Sequence, residues 1–173
     1  MRADHVGCYG YHRNTTPNID RIAEQGTIFK RAYATSSWTL PSFHSILTSL
    51  YQISHGVVSD GYKLDDSIIT FAELLKEEGY KTAGFVAGPY LKSIFGFDQG
   101  FDLYEETVSS STDIESHSDI TSPEITKLVL SWLDKHENEK FLLFIHWWDP
   151  HYDFIPPEPY DKTFDPDYTG HVD

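Results

Sequence analysis

Residues 141–148, FLLFIHWW, are apolar without a break apart from one histidine. A half-exposed strand alternates apolar and polar positions. A run this short and this continuous is how a strand covered on both faces of a parallel sheet reads. Its flanks show how such a sheet would be built. Upstream, SPEITKLVLSWLDKHENEK (122–140) places Ile125, Leu128, Val129 and Trp132 at helical spacing, with Ser122 as N-cap, Pro123 in the first turn and Glu124 near the positive end of the dipole. Farther back, KTAGFVAG (81–88) is a second short apolar strand. It follows the amphipathic helix SIITFAELLKEEGY (67–80), in which Phe71, Leu74 and Leu75 share a face and Gly79 supplies the stop. Helices alternating with short apolar strands predict an α/β fold, a mostly parallel sheet flanked by helices.

Outward from that centre, PNIDRIAEQG (17–26) predicts a helix with an Ile19, Ile22, Ala23 stripe and a stop at Gly26, and TIFKRAYA (27–34) alternates well enough for a strand. SSWTLPSFHSILTSLY (36–51) predicts a helix from about Pro41, with Phe43, Ile46, Leu47 and Leu50 as its buried face. From Pro89 onward no period is clear, and residues 108–121 read as a polar surface loop. The last stretch, DPHYDFIPPEPYDKTFDPDYTGHVD (149–173), is proline-rich and shows no final element.

The chain has 173 residues, 39% of them hydrophobic and 15% aromatic, which is the composition of one globular domain. A net charge of -14 argues against a nucleic acid partner, because neutralising phosphates needs a basic surface. No stretch approaches the roughly 20 apolar residues of a membrane span, and the N-terminus lacks the apolar core of a signal peptide. The single cysteine, Cys8, excludes an internal disulfide and reads as a small buried hydrophobe in a turn.

In parallel sheets ligands gather beyond the carboxyl ends of the strands. Two segments satisfy that rule: the one around Thr39, which follows the expected 27–34 strand, and DPH (149–151), which follows FLLFIHWW. The free amides at the start of the helix would favour an anion beside Thr39. A threonine hydroxyl is a weak nucleophile until a metal or base activates it, so Thr39 reads equally as a helix cap. His146, Asp149 and His151 bring imidazoles and a carboxylate to a strand end, which suits anion binding, proton transfer or metal ligation. For His146, inside the apolar run, a ring satisfied by a loop carbonyl is the simpler expectation; His151 is the better functional candidate. His44 and His55 fall near the Thr39 segment, and each reads more simply as structural.

Five blocks then occur in one order: DHVGCYGYHRNTTPNIDRIAEQGTIFKRAYA (4–34), TLPSFHSILTSLYQISHGV (39–57), EEGYKTAGFVA (77–87), GFDQGFD (96–102) and FIHWWDPHYDF (144–154). Together they resemble the N-terminal half of type I sulfatases, in the alkaline phosphatase-like superfamily. The resemblance implies a large α/β domain around a divalent cation, usually calcium, that hydrolyses sulfate esters. It places Thr39 where the family has the cysteine or serine that becomes formylglycine, followed by the matching Pro41 and Ser42, with Phe43 in place of the motif's arginine. Threonine carries one hydrogen on its β-carbon and cannot yield that aldehyde. In related phosphoryl-transfer branches, threonine is itself the nucleophile. His151 matches the family's sulfate-binding histidine, while Gly88 and Pro89 stand where a lysine and histidine are usual.

The resemblance also implies a chain incomplete at both ends, so that residues 1–173 form part of a catalytic domain whose first strand and later acidic metal ligands lie outside it. Thr39 and His151 are then the expected catalytic residues, Thr39 also the one metal contact, and Ser42, His44, His146 and Asp149 the expected substrate contacts. The expected substrate is a small-molecule or glycan sulfate or phosphate ester. A non-catalytic relative that binds an anion, or a phosphoryl-group transferase, are the alternatives.

Overall fold

The computed structural model describes residues 1–108, 121–149, 151, 158–164 and 166–167. The chain divides into two units, Met1–Ala34 and Thr35–Asp173.

In the first unit, helix α1 (Pro17–Gln25) forms as expected, with proline in its opening turn. Asp20 organises the turn before it: its carboxylate accepts the Cys8 amide at 2.7 Å and the Thr16 hydroxyl, while Thr16 Oγ1 accepts the Gly7 amide at 2.9 Å. Cys8 is half-buried rather than buried. Ile19 and Ile22 are exposed, since a unit of this size has little interior to cover them. Residues 27–34 form no strand, and Phe29 and Tyr33 are exposed. Alternation alone does not make a strand; backbone groups need a partner ladder.

The second unit holds the sheet. Among the described residues its strands are β1 (Lys81–Val86), β2 (Leu103–Glu105) and β3 (Phe141–His146), all parallel and in the order β2-β1-β3. Strand β2 lies in the stretch whose sequence shows no period, because three residues are too few to carry one. It is held to β1 by a reciprocal clasp in which the Thr82 amide donates to Asp102 Oδ2 at 3.0 Å and the Asp102 amide to Thr82 Oγ1 at 2.9 Å. Gly84 makes room for the Tyr104 ring of β2, which a Cβ would meet at 2.5 Å.

Side chains alternate across the sheet, as strand geometry demands. Ala83 and Phe85 on β1 and Ala87 just past its end, with Leu143 and Ile145 on β3, pack against Ile125, Val129 and Trp132 of α5 (Ser122–His136). On the other face, Val86 and Phe144 pack with Leu40 and Leu47 of α2 (Thr39–Thr48) and with Leu64, Leu91 and Phe97. The α/β expectation therefore holds, with helices on both faces. Strand β3 is half-buried, not fully covered as its apolar run suggests: among the described residues it has one neighbour, β1.

Helix α2 begins two residues earlier than expected, at Thr39. Pro41 fits its third position because the first amides of a helix have no intrahelical acceptor. The buried face is Leu40, His44, Ser45 and Leu47, while Ile46 and Leu50 are exposed. After the short α3 (Gln52–His55), helix α4 spans Phe71–Glu77 and starts with a capping box between Thr70 and Glu73, a T-x-x-E signature present in the sequence. It turns Ala72 inward and leaves Phe71 and Leu74 exposed.

Helix α5 takes its cap from elsewhere in the chain. Thr121 occupies the N-cap position, one residue before the expected Ser122, and the Asp149 carboxylate accepts the Ser122 amide at 2.7 Å. Most of the 108–121 loop and of the 149–173 segment lies outside the described residues, apart from a short turn at Tyr160–Lys162. No helix among the described residues is long and apolar enough to cross a membrane.

Candidate active site

The C-terminal edge of the sheet is where α2, β1 and β3 converge. Val86 and His146 are paired in register, so the chain leaves both strands side by side, through Ala87–Gly88 and Trp147–Asp149. Helix α2 is pinned here through its first turns. Trp38 meets Tyr90 edge-on at 5.3 Å between ring centroids, and Phe43 lies 5.8 Å from Phe144 and 5.5 Å from His146.

Thr39 is the first residue of α2 and half-buried; Trp38 takes the N-cap position and no side chain caps the helix. The capping role open to Thr39 from the sequence is therefore not the one it plays here. Residues four apart share a helix face, so Thr39 stands about one turn, ~5.4 Å, from Phe43 on the side that meets His146. Ser42 is half-buried, its amide donating to the Trp38 carbonyl at 3.4 Å.

His146 projects on the α2 face of β3, like Phe144 two residues before it. Its Nδ1 is 2.6 Å from the Ala87 carbonyl oxygen, which can only accept, so Nδ1 carries the proton in the neutral ring. Burial holds its pKa below the usual histidine value, and the nearby His151 pushes the same way. His151 stacks on Trp148 at 3.9 Å and 13°. Trp148 itself lies over Gly88: a Cβ there would meet the indole at 2.7 Å, and the glycine adopts a φ of +111°. The sequence marks Gly88 and the tryptophan pair separately, but their meeting follows from the β1–β3 register and has no local signature.

Two expected contacts are engaged within the fold. His44 has no exposed surface and stacks on Phe97 at 3.9 Å, within the core on the α2 side. That burial leaves no face for a substrate. Asp149 spends one oxygen, Oδ2, on the start of α5, accepting from the Thr121 hydroxyl at 3.1 Å and from both the amide and hydroxyl of Ser122. A carboxylate at a helix N-terminus is favoured by the dipole and satisfies an orphan amide.

His55 is also structural. It is buried beside Ser45, with Nε2 at 3.1 Å from the serine hydroxyl, and its Nδ1 accepts the Val57 amide at 3.2 Å. The proton must then sit on Nε2, which donates to Ser45, so the pair cannot work as a nucleophile and its base.

A divalent cation needs about six oxygen or nitrogen donors if it is magnesium and up to eight if calcium. Among the described residues no three histidine, cysteine or acidic side chains come together. Thr39 supplies one hydroxyl, and the described residues do not complete a set.

A parallel sheet whose C-terminal edge receives the start of a threonine-bearing helix and a histidine-bearing loop defines an α/β enzyme-like site. The chain belongs to the sulfatase family, whose model matches residues 1–171. An N-acetylglucosamine-6-O-sulfatase of Bacteroides thetaiotaomicron is 28% identical over 171 residues, covering 90% of this chain and 30% of that protein. An N-acetylgalactosamine-6-O-sulfatase of the same organism is 42% identical over 82 residues, 44% of this chain and 16% of its own length. The chain thus spans less than a third of these relatives. Among solved structures, a protein in complex with its substrate D-glucosamine-2-N,6-O-disulfate superposes with a TM-score of 0.74 at 26% identity, over 89% of this chain and 33% of that one. The phosphonate monoester hydrolase of Agrobacterium radiobacter shares the fold, with a TM-score of 0.74 at 21% identity over 92% of this chain and 41% of that one.

Proposed function

We propose that this chain is part of a longer hydrolase that cleaves sulfate or phosphate esters, with Thr39 as nucleophile. One observation carries the reading: Thr39 heads α2 on the face that Phe43 packs against His146 at the end of β3. The Thr39 oxygen, its proton passed to solvent, attacks sulfur or phosphorus as the bond to the ester oxygen breaks and that oxygen takes a proton from His151; water then attacks the Thr39-bound group, releasing sulfate or phosphate and returning one proton to Thr39 and one to His151. His151 alternatively binds the non-bridging oxygens, and Ser42 lies within the first turn of the same helix. A divalent cation, calcium by family resemblance, would lower the hydroxyl's pKa, with ligands beyond those the described residues bring together. Family relatives that are named as amino-sugar 6-O-sulfatases support a glycan or other small-molecule ester as substrate.

The test is an assay of the full-length protein on aryl and sugar sulfates and on phosphate mono- and diesters, with calcium, magnesium, manganese or zinc. At least one ester should turn over, and the peptide holding Thr39 should have the mass of unmodified threonine even after co-expression with a formylglycine-generating enzyme. Tight anion binding without turnover would support a non-catalytic relative. Transfer of the group to an added alcohol in preference to water would support a transferase. A loss of two hydrogens at Thr39 would refute the direct-nucleophile chemistry.

A further inference from the structure

We propose that His146 is a specificity residue, presenting an unprotonated Nε2 that accepts a hydrogen bond from a hydroxyl or amide N–H of the esterified molecule rather than binding its anionic oxygens. The inference rests on the ester-hydrolase reading and says which part of the substrate this ring reads. Three contacts fix the imidazole. The Ala87 carbonyl takes Nδ1–H at 2.6 Å, the ring meets Phe43 edge-on at 87°, and Trp148 lies 6.4 Å away on the loop side. The same arrangement settles the chemistry of the free nitrogen. With the proton committed to a group that can only accept, Nε2 holds a lone pair, and no described residue occupies it. An anionic oxygen has no hydrogen to give and would face that lone pair with repulsion. Only protonation would make the ring an anion binder, and burial among Phe43, Trp148 and Gly88 works against it; the Ala87 carbonyl draws the other way but is already served by Nδ1–H of the neutral ring, and His151 is the titratable group that bears on it, unfavourably to a second positive charge. Thr39 stands about one helical turn from Phe43 on the same face, which puts this acceptor beside the reacting ester and suits a donor on a carbon near it.

Two measurements decide. Nitrogen-15 NMR of the chain labelled in histidine should show His146 at neutral pH as the Nδ1–H tautomer; the Nε2–H tautomer, or an imidazolium, would overturn the proposal. In the full-length protein, two esters identical except for one hydroxyl beside the ester should differ in kcat/KM by about tenfold, the size of one hydrogen bond. His146→Asn keeps a donor in the place of Nδ1 and deletes the acceptor, so it should abolish that preference, lowering kcat/KM on the hydroxylated ester about tenfold more than on the deoxy ester. A preference that survives in the variant, or an equal loss on both esters, overturns the assignment alone. Absence of turnover of every ester by the unmodified protein overturns the hydrolase reading, and this inference with it.

Discussion

Replacing Thr39 by alanine in the full-length protein is expected to lower ester turnover at least about a thousandfold, roughly 4 kcal/mol of barrier, with thermal stability almost unchanged. The two halves of that expectation come from different observations. Thr39 is not the N-cap and sits half-exposed at the first helical position, so its loss should cost no more than about 0.5 kcal/mol of folding free energy. Loss of the nucleophile removes the covalent route itself, and what remains is positioning and electrostatics from the rest of the site. Steady-state kinetics and a melting curve on the same preparation separate the cases. A variant that keeps more than about a tenth of the rate, under ~1.4 kcal/mol of barrier, would make Thr39 a structural residue.

Acid should destabilise the chain well before its carboxylates titrate, and His44 is the reason. Its ring has no exposure, neither nitrogen makes a well-formed hydrogen bond among the described residues, and it is stacked on Phe97. Burial, with repulsion from His55 as the second cause, lowers its pKa from 6.5 to about 4, while the Phe95 backbone draws weakly the other way. Because the folded value is depressed, the unfolded chain takes up a proton that the folded chain refuses. Stability is full above about pH 6.5, falls as the pH drops, and stops falling on this account near pH 4, where the folded ring also protonates. At 1.36 kcal/mol per unit the loss is about 3 kcal/mol, a large part of a typical margin. His55, lowered mainly by burial, adds in the same direction. His44→Phe, which can keep the stack on Phe97, should flatten the slope of unfolding free energy between pH 6.5 and 4. Denaturant titrations at a series of pH values would show this; equal slopes in the two proteins would mean that His44 protonates without cost.

The layer architecture was legible wherever a segment carried its own period. Strand β1 and helix α5 appear at the residues their patterns mark, and β3 appears within its apolar run. What could not be read depends on partners. Strand β2 exists because Ala83–Phe85 lies beside Leu103–Glu105, and residues 27–34 alternate without any such neighbour among the described residues. The buried face of α2 was misjudged because two polar residues, His44 and Ser45, belong to it, while the aliphatic Ile46 points outward.

The site divides the same way. Thr39 and the DPH loop stand out in one dimension, and the carbonyl partner expected for His146 proved to be Ala87, 59 residues away. The role of Asp149 could not be inferred locally, since the helix it caps begins 27 residues earlier in the chain. The Trp148–His151 stack needs the missing side chain of Gly88, a condition set by strand register and not by either segment alone.

The account turns on Thr39 as the atom that bonds to the substrate's sulfur or phosphorus. Rapid acid quench of the full-length protein during turnover, followed by digestion and mass spectrometry of the peptide holding Thr39, tests this directly. The account predicts that a fraction of that peptide carries the sulfuryl or phosphoryl group on Thr39, forming and decaying at rates compatible with turnover. Turnover with the group trapped on a different residue, or with a presteady-state burst and no label at Thr39, would contradict it.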